Sequence, residues 1–446
     1  MSTLQYSPVA PSGSYRAPVA RRRIDHKVAL PGSKSLTNRE LVLAALADAP
    51  SRLHHPLHAR DTQLMASALQ SLGAIIEEVP GDGAFGPDFQ ITPLTVAASA
   101  GETVTIDCGL AGTVMRFIPP LALLGKSSVT ITGDEQASAR PMGPIIQALR
   151  QLGADVDDGG RESLPFTISP SALPSTMQTV RIDASRSSQF VSGLLLAAAR
   201  FPGGLTIEHT GDRLPSVPHI EMTIETLRQH GVTVMRDGTH RFVVPPQVIH
   251  ATSPVIEPDL SNAAPFLASV LVAGGSVRLV GWPEQTTQVG AEVPGFLEHF
   301  GALVSSAPHE VTVTAPGLDA GPLRAVNLDL HEAGELAPTL VSLAVFADGP
   351  SHFTGIGHLR GHETDRLHAL KNNIENLGGA VEELPDGLIV TPRPLHGGQW
   401  KAWGDHRMAT SGALIGLAVE GVVIDDIGQT AKTLPEFVDL WESMLA

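Results

Sequence analysis

Lys34, Ser35 and Arg39 fall together in the run LPGSKSLTNRELVLAALA, residues 30–47. There a Gly-Ser-Lys-Ser loop enters a strongly apolar helix. A helix start offers unpaired N–H groups and about half a positive charge. Arginine adds a bidentate fork and lysine a mobile point charge, so the run is equipped to hold an anion. Similar sets recur along the chain. Gly112, Thr113 and Arg116 open a second apolar run, Ser187, Ser188 and Gln189 another, Glu335 another, and Asp405, His406 and Arg407 the last. Arg140, Ser216, His219, the stretch His362-Glu363-Thr364-Asp365-Arg366 and Lys432 stand before amphipathic helices. Taken singly, each has an ordinary reading. Ser, Thr and Asp365 cap helices, and a surface Arg or Lys is usually solvated. It is the recurrence of cations beside helix starts that points to a highly charged anionic ligand.

Other chemistries fit less well. The phosphate-loop pattern G-x-x-x-x-G-K-[ST] is absent at LPGSKS, and no G-x-G-x-x-G lies between a clear strand and a helix. HLRGHETD and LHHPLH place histidines near polar residues without H-E-x-x-H spacing, so no metal is expected. Acidic residues exceed basic ones by 46 − 30 = 16. That argues against a nucleic-acid partner but not against an anionic substrate, which responds to the local field. A single cysteine, Cys108, excludes an internal disulfide framework and fits a reducing compartment. No apolar run reaches membrane-spanning length.

The elements that must position these residues repeat. At 446 residues, 42% of them hydrophobic, the chain can bury large cores, and the length suggests about two to four domains. ALQSLGAIIEE, ALRQLGADVDD, TLRQHGVTVMRDG, FLEHFGALVSS and NIENLGGAVEEL each read as the end of an amphipathic helix, a glycine stop and a strand. Their glycines, at 73, 153, 231, 301 and 378, recur every 70–80 residues. The apolar helices interleave with them. The unit is strand, buried helix, strand, amphipathic helix and two strands, and it occurs six times. The last unit stops at Ala446 before its final strands, and SYRAPVARRR is placed to supply one. The expectation is therefore an α/β chain of two domains with three repeats each: residues 16–33 with 255–446 as one, residues 34–254 inserted as the other, and residues 1–15 as a disordered tail. Helices this apolar must be buried on all sides, with sheets outside. If the buried helices run parallel, their N-termini open on one face, and two such faces would line an anion-binding cleft.

LPGSKSLTNR, AGTVMR, SSQF, HETDRL, GDHRMA and TAKTLPEF occur in the order and spacing of the enolpyruvylshikimate phosphate (EPSP) synthase family, from about residue 16 to the C-terminus. The resemblance implies two inside-out α/β domains and transfer of the enolpyruvyl group of phosphoenolpyruvate to shikimate-3-phosphate. It implies that Lys34, Ser35, Arg39, Ser187, Ser188, Gln189, Ser216, Glu335 and His362 hold shikimate-3-phosphate. It assigns Lys34, Gly112, Arg140, Gln189, Arg366, Arg407 and Lys432 to phosphoenolpyruvate, and Lys34, Glu335, Glu363 and His406 to proton transfer. It further implies small anionic substrates, no cofactor, no nucleic-acid or membrane partner, a monomer in the cytoplasm, and glyphosate as an inhibitor at the phosphoenolpyruvate site.

The chain departs from the family pattern at four places: Leu110 for Asn, His219 for Tyr, His362 for Lys and Glu335 for Asp. These changes resemble an actinobacterial branch and bear on the shikimate contacts rather than on the reaction. The UDP-N-acetylglucosamine enolpyruvyl transferases share the fold, but they usually carry a reactive cysteine on a mobile loop. Cys108 instead ends a strand, and residues 133–143 hold no cysteine. A non-catalytic anion-binding relative is the other alternative, which the intact set Lys34, Glu335 and Glu363 disfavours.

Overall fold

The structure, a computed structural model, describes residues 4, 6, 12–95 and 101–446. Most of the tail expected over residues 1–15 lies outside the described residues. Within that stretch, the Tyr6 N–H donates to Glu78 at 2.9 Å, and Tyr15–Arg16 forms a strand paired with Ile424 and Val423. The chain divides into two compact units, one holding residues 32–256 and the other residues 12–31 with 257–446.

The first unit contains helices α1 (Lys34–Leu46), α2 (Arg60–Ser71), α3 (Gly112–Ala122), α4 (Gly143–Gln151), α5 (Gln189–Ala198) and α6 (Val217–Gln229). The second contains α7 (Ala263–Ala273), α8 (Val293–Phe300), α9 (Ala337–Ala344), α10 (Arg366–Asn376), α11 (His406–Gly416) and α12 (Phe437–Leu445). The odd-numbered helices are the apolar runs. All of α3 and α9 is buried, as is α1 from Thr37 onward. Each Leu, Val, Ile or Phe fully buried there contributes about 1.5–3 kcal/mol. The even-numbered helices bury a stripe, as α4 does with Ile145, Ile146, Ala148 and Leu149. Five of them stop at Gly73, Gly153, Gly231, Gly301 and Gly378, whose φ values run from 79° to 109°. A side chain would be strained in that left-handed conformation, so glycine ends the helix cheaply.

The described residues form six sheets around these helices, three or four strands in each. The repeat is clearest in Val104–Asp107, Val129–Thr132, Asp155–Asp157 and Phe166–Ser169. The first two strands pair in parallel across α3, Val104 opposite Val129. The last two form a hairpin, Asp155 opposite Ser169, and Phe166 pairs back to Ile131. The two chain crossings complete the pattern elsewhere. Ile24–Val28 pairs in parallel with Gly275–Val280, and Val255 makes a parallel bridge to His54 beside Ser51–Leu53. Each unit has its own hydrophobic core. Helices α1, α3 and α5 pack on one another in the first unit, and α7, α9 and α11 do so in the second. Their starts converge. Asn38 Nδ2 of α1 donates to Thr113 Oγ1 of α3 at 2.7 Å, and Arg407 at the head of α11 lies 4.0 Å from Glu335, just before α9. Among the described residues, no helix is long and apolar enough to cross a membrane.

Candidate functional site

In the first unit, Ser33 caps α1 by accepting from Leu36 N at 3.5 Å, so Lys34 is the first helical residue. Lys34 Nζ lies 3.3 Å from Asp61 Oδ2, a buried carboxylate in the first turn of α2. Arg39 donates Nη1 to the Ser35 carbonyl and Nη2 to the His219 carbonyl, both at 2.9 Å, and Nε to Thr223 Oγ1 at 2.8 Å. The Phe117 ring sits 5.3 Å from its guanidinium. These oxygens hold the guanidinium in place. They also tie α1 to the start of α6.

Arg140 is buried and donates Nη1 to the Leu110 carbonyl at 3.2 Å. A Cβ added at Gly112 would stand 3.0 and 3.1 Å from its two terminal nitrogens and 3.1 Å from Gln189 Oε1. The missing side chain is what lets the guanidinium approach the heads of α3 and α5. Gln189 Oε1 is buried and, among the described residues, has no hydrogen-bond partner, a cost of about 1–3 kcal/mol that a bound donor would relieve. Ser187 Oγ accepts from Gln189 N at 3.3 Å, and the Ser188 carbonyl accepts from Ser192 N at 3.1 Å. Ser216 precedes α6 at φ 51°, ψ 50°. A non-glycine residue there carries strain of about 1–3 kcal/mol, a feature that clusters at functional sites.

In the second unit, Asp405 is fully buried and caps α11 by accepting from Arg407 N at 2.8 Å. The same carboxylate takes the Arg366 fork, Nε to Oδ2 at 2.7 Å and Nη2 to Oδ1 at 3.2 Å. Arg366 Nη2 also reaches Glu363 Oε2 at 3.1 Å, and Glu363 Oε1 accepts from Lys432 Nζ. Burial alone would lower the Arg366 pKa, but Asp405 and then Glu363 hold it above the ordinary value. His406 Nδ1 is 3.7 Å from Asp405, and His362 Nδ1 is 4.0 Å from Glu363. Arg407 turns toward Glu335 and donates to the Ser261 carbonyl at 3.5 Å, while Ser261 Oγ donates to Glu335 Oε1.

The structure thus gathers Lys34, Ser35, Arg39, Gly112, Arg140, Ser187, Ser188, Gln189 and Ser216 at helix starts of the first unit. It gathers Glu335, His362, Glu363, Arg366, His406, Arg407 and Lys432 in the second. Sequence reasoning missed Asp61, Ser261 and the part played by Asp405. Asp61 signalled itself only as an acidic residue in a first helical turn, and Ser261 as a cap-type residue in PDLSN. Neither signal names a partner. Cys108 is fully buried, and burial, then Asp107, push its thiol up to about 12 against the pull of Arg116. Among the described residues, no cluster of His, Cys, Asp and Glu could hold a metal ion.

Three-repeat units with helices inside, sheets outside and cations at the buried helix starts define an enolpyruvyl-transferase fold. Solved structures share it. An EPSP synthase from Acinetobacter baumannii matches with a TM-score of 0.75 at 23% identity, over 97% of this chain and 98% of that one. An enolpyruvyl transferase from Streptomyces tendae matches with a TM-score of 0.72 at 20% identity, over 98% of both chains. The profile of EPSP synthase (3-phosphoshikimate 1-carboxyvinyltransferase) matches residues 19–441, and the chain belongs to that family. Proteins named 3-phosphoshikimate 1-carboxyvinyltransferase from Kocuria rhizophila and Bifidobacterium longum are 52% and 48% identical to it. The first alignment covers 94% of this chain and 93% of the relative, the second 96% and 97%. Both organisms are actinobacteria.

Proposed function

We propose that the chain transfers the enolpyruvyl group of phosphoenolpyruvate to a hydroxyl of shikimate-3-phosphate and releases phosphate. The observation that carries this is the 52% identity, over 94% of the chain, to the Kocuria protein of that name. Each substrate carries a phosphate and a carboxylate, so several cations must serve one reaction. Ser35, Arg39, Ser187, Ser188, Gln189, Ser216 and His362 hold shikimate-3-phosphate. Gly112, Arg140, Gln189, Arg366, Arg407 and Lys432 hold phosphoenolpyruvate, and Lys34 reaches both. Glu335, oriented by Ser261 and Arg407, takes the proton of the attacking hydroxyl. Lys34 supplies a proton as the vinyl CH₂ becomes a methyl, giving a tetrahedral intermediate. Phosphate leaves as a methyl proton is lost to Glu363, whose oxygens are fixed by Lys432 and Arg366, with His406 beside them. Placed acid and base groups typically contribute about 10²–10⁴-fold each.

The enzyme acts as a monomer in the cytoplasm on small anions. The buried, unreactive Cys108 speaks against the UDP-N-acetylglucosamine reaction, in which a reactive cysteine takes part. The test is phosphate release with each acceptor in turn. Shikimate-3-phosphate should support turnover and UDP-N-acetylglucosamine should not. Binding of both substrates without phosphate release would leave only a non-catalytic relative.

A further inference from the structure

The LHHPLH run has no part in the reaction above, yet its first histidine is built into a relay. His54 Nε2 lies 3.0 Å from Ser253 Oγ. His54 Nδ1 lies 2.7 Å from Asp88 Oδ2. Asp88 is fully buried, and its other oxygen accepts from His55 N at 3.2 Å. Backbone pairing fixes all three residues: Asp88 opens the strand Asp88–Thr92, His54 is a bridge residue just after Ser51–Leu53, and Ser253 lies in the chain beside it. Leu53 pairs with Phe89, which sets His54 beside Asp88. His54 N donates to the Pro254 carbonyl and Ile256 N to the His54 carbonyl, both at 2.9 Å, which sets Ser253 beside His54. Ser253 itself is exposed.

We propose that Ser253 is a reactive serine, activated by His54 and oriented through Asp88, that takes acyl groups from activated esters. Nucleophile, base and orienting carboxylate stand in the order that acyl transfer needs, with the correct ring nitrogen toward each. Asp88 claims the Nδ1 proton, which leaves the Nε2 lone pair toward the serine hydroxyl. Burial would raise the Asp88 pKa, but the His55 N–H, Arg52 and His54 outweigh it and keep the carboxylate ionised. Ser253 Oγ attacks the ester carbonyl, and its proton passes to His54 Nε2. The acyl carbon–oxygen bond then breaks, and the leaving aryloxide takes that proton. Water reverses the sequence and releases the acid. Arg52 donates to the same Asp88 oxygen at 3.0 Å and draws charge from it. The relay is therefore modest and needs a donor with a good leaving group.

The test uses the full chain and p-nitrophenyl acetate, followed by release of p-nitrophenolate and peptide mapping. The expected result is one acetyl group on Ser253 per chain, a slowing of about 10²-fold or more in His54→Gln, and none on that peptide in Ser253→Ala. A fluorophosphonate probe should label Ser253 in the wild type and not in His54→Gln. Thermal unfolding of each variant separates loss of reactivity from loss of fold. If acetyl groups go to lysines and not to Ser253, or if folded His54→Gln labels as fast as the wild type, the relay only fastens the strand and the proposal fails.

Discussion

The two clusters treat charge differently. In the first unit, Arg39 and Arg140 are held by carbonyl and hydroxyl oxygens of Ser35, His219, Thr223 and Leu110. In the second, Arg366 faces Asp405 and Glu363, Lys432 faces Glu363, and Arg407 stands near Glu335. Carbonyl and hydroxyl oxygens position a guanidinium and carry no formal charge of their own to set against its field. At 4 Å and an effective dielectric near 20 that field is worth about 4 kcal/mol to a unit negative charge. Carboxylates instead balance the cations and are themselves held in place by them. On the proposed roles, the first unit supplies most of the contacts to shikimate-3-phosphate, and the second sets carboxylates for proton transfer beside its phosphoenolpyruvate cations. Lys34, paired with Asp61, is the point where the first unit resembles the second.

The largest expected effect tests the proton-handling half. Glu363→Gln removes the carboxylate proposed as the base and leaves Lys432 and Arg366 with less compensation. Turnover at saturation should fall by about 10²–10⁴-fold, while binding of shikimate-3-phosphate is little changed. Near-normal kcat would break the contrast between the clusters. Next, Lys34→Arg keeps the charge but cannot readily give up a proton. A drop in kcat of about 10²-fold at saturation would make Lys34 an acid; a rise confined to KM would make it an anion holder. Arg407→Lys is its counterpart and should lose phosphoenolpyruvate affinity more than turnover. Steady-state kinetics with both substrates varied read all three variants.

A smaller effect is expected at Gly112→Ala. The added methyl would meet Arg140 and Gln189 at 3.0–3.1 Å. Those are ends of flexible side chains, so the protein should fold, with the guanidinium displaced by a few tenths of an ångström. KM for phosphoenolpyruvate and the inhibition constant of glyphosate, competitive with it, should both rise, by about tenfold if about 1.4 kcal/mol of binding is lost. Equal inhibition of both proteins would place the inhibitor elsewhere.

Much of this architecture was legible because it repeats. A wholly apolar helix, a glycine stop and a striped helix recur at fixed spacing, and each has a local physical cause. The cations were legible because they sit at helix starts. Pairings across long sequence distances were not. Asp405 reads as an ordinary cap, and only the fold brings Arg366 to it over 39 residues. Glu40 follows Arg39 in α1, and nothing in the sequence names its partner. In the structure its buried carboxylate meets His230 Nε2 at 2.8 Å, a partner 190 residues away that no periodicity reveals. The first sheet likewise takes a partner from the chain near Val255, because its own repeat begins after the crossing.

A further expected effect separates the stability of the second unit from its chemistry. His358 lies beneath the turn that carries Glu335: a Cβ at Gly334 would stand 2.7 Å from its Nε2. Burial first, and His331 next, push its pKa down to about 4, against the opposing pull of Asp386. Its ordinary value is about 6.5. Between those two values the ring is neutral in the folded unit and protonated in the unfolded chain. The unfolded state then binds more protons, so stability must fall as pH drops from about 6.5 toward about 4. The full loss from this one group is at most about 3–4 kcal/mol, since each pKa unit is worth about 1.4 kcal/mol. Replacing it by an amide, His358→Asn, removes the titration and should flatten that slope. Amide hydrogen exchange across residues 327–391, measured at several pH values in wild type and variant, reads it for that unit alone. An equal loss of protection in both proteins would show that other groups set the acid response, and that the half-buried ring beneath Glu335 carries no proton linkage.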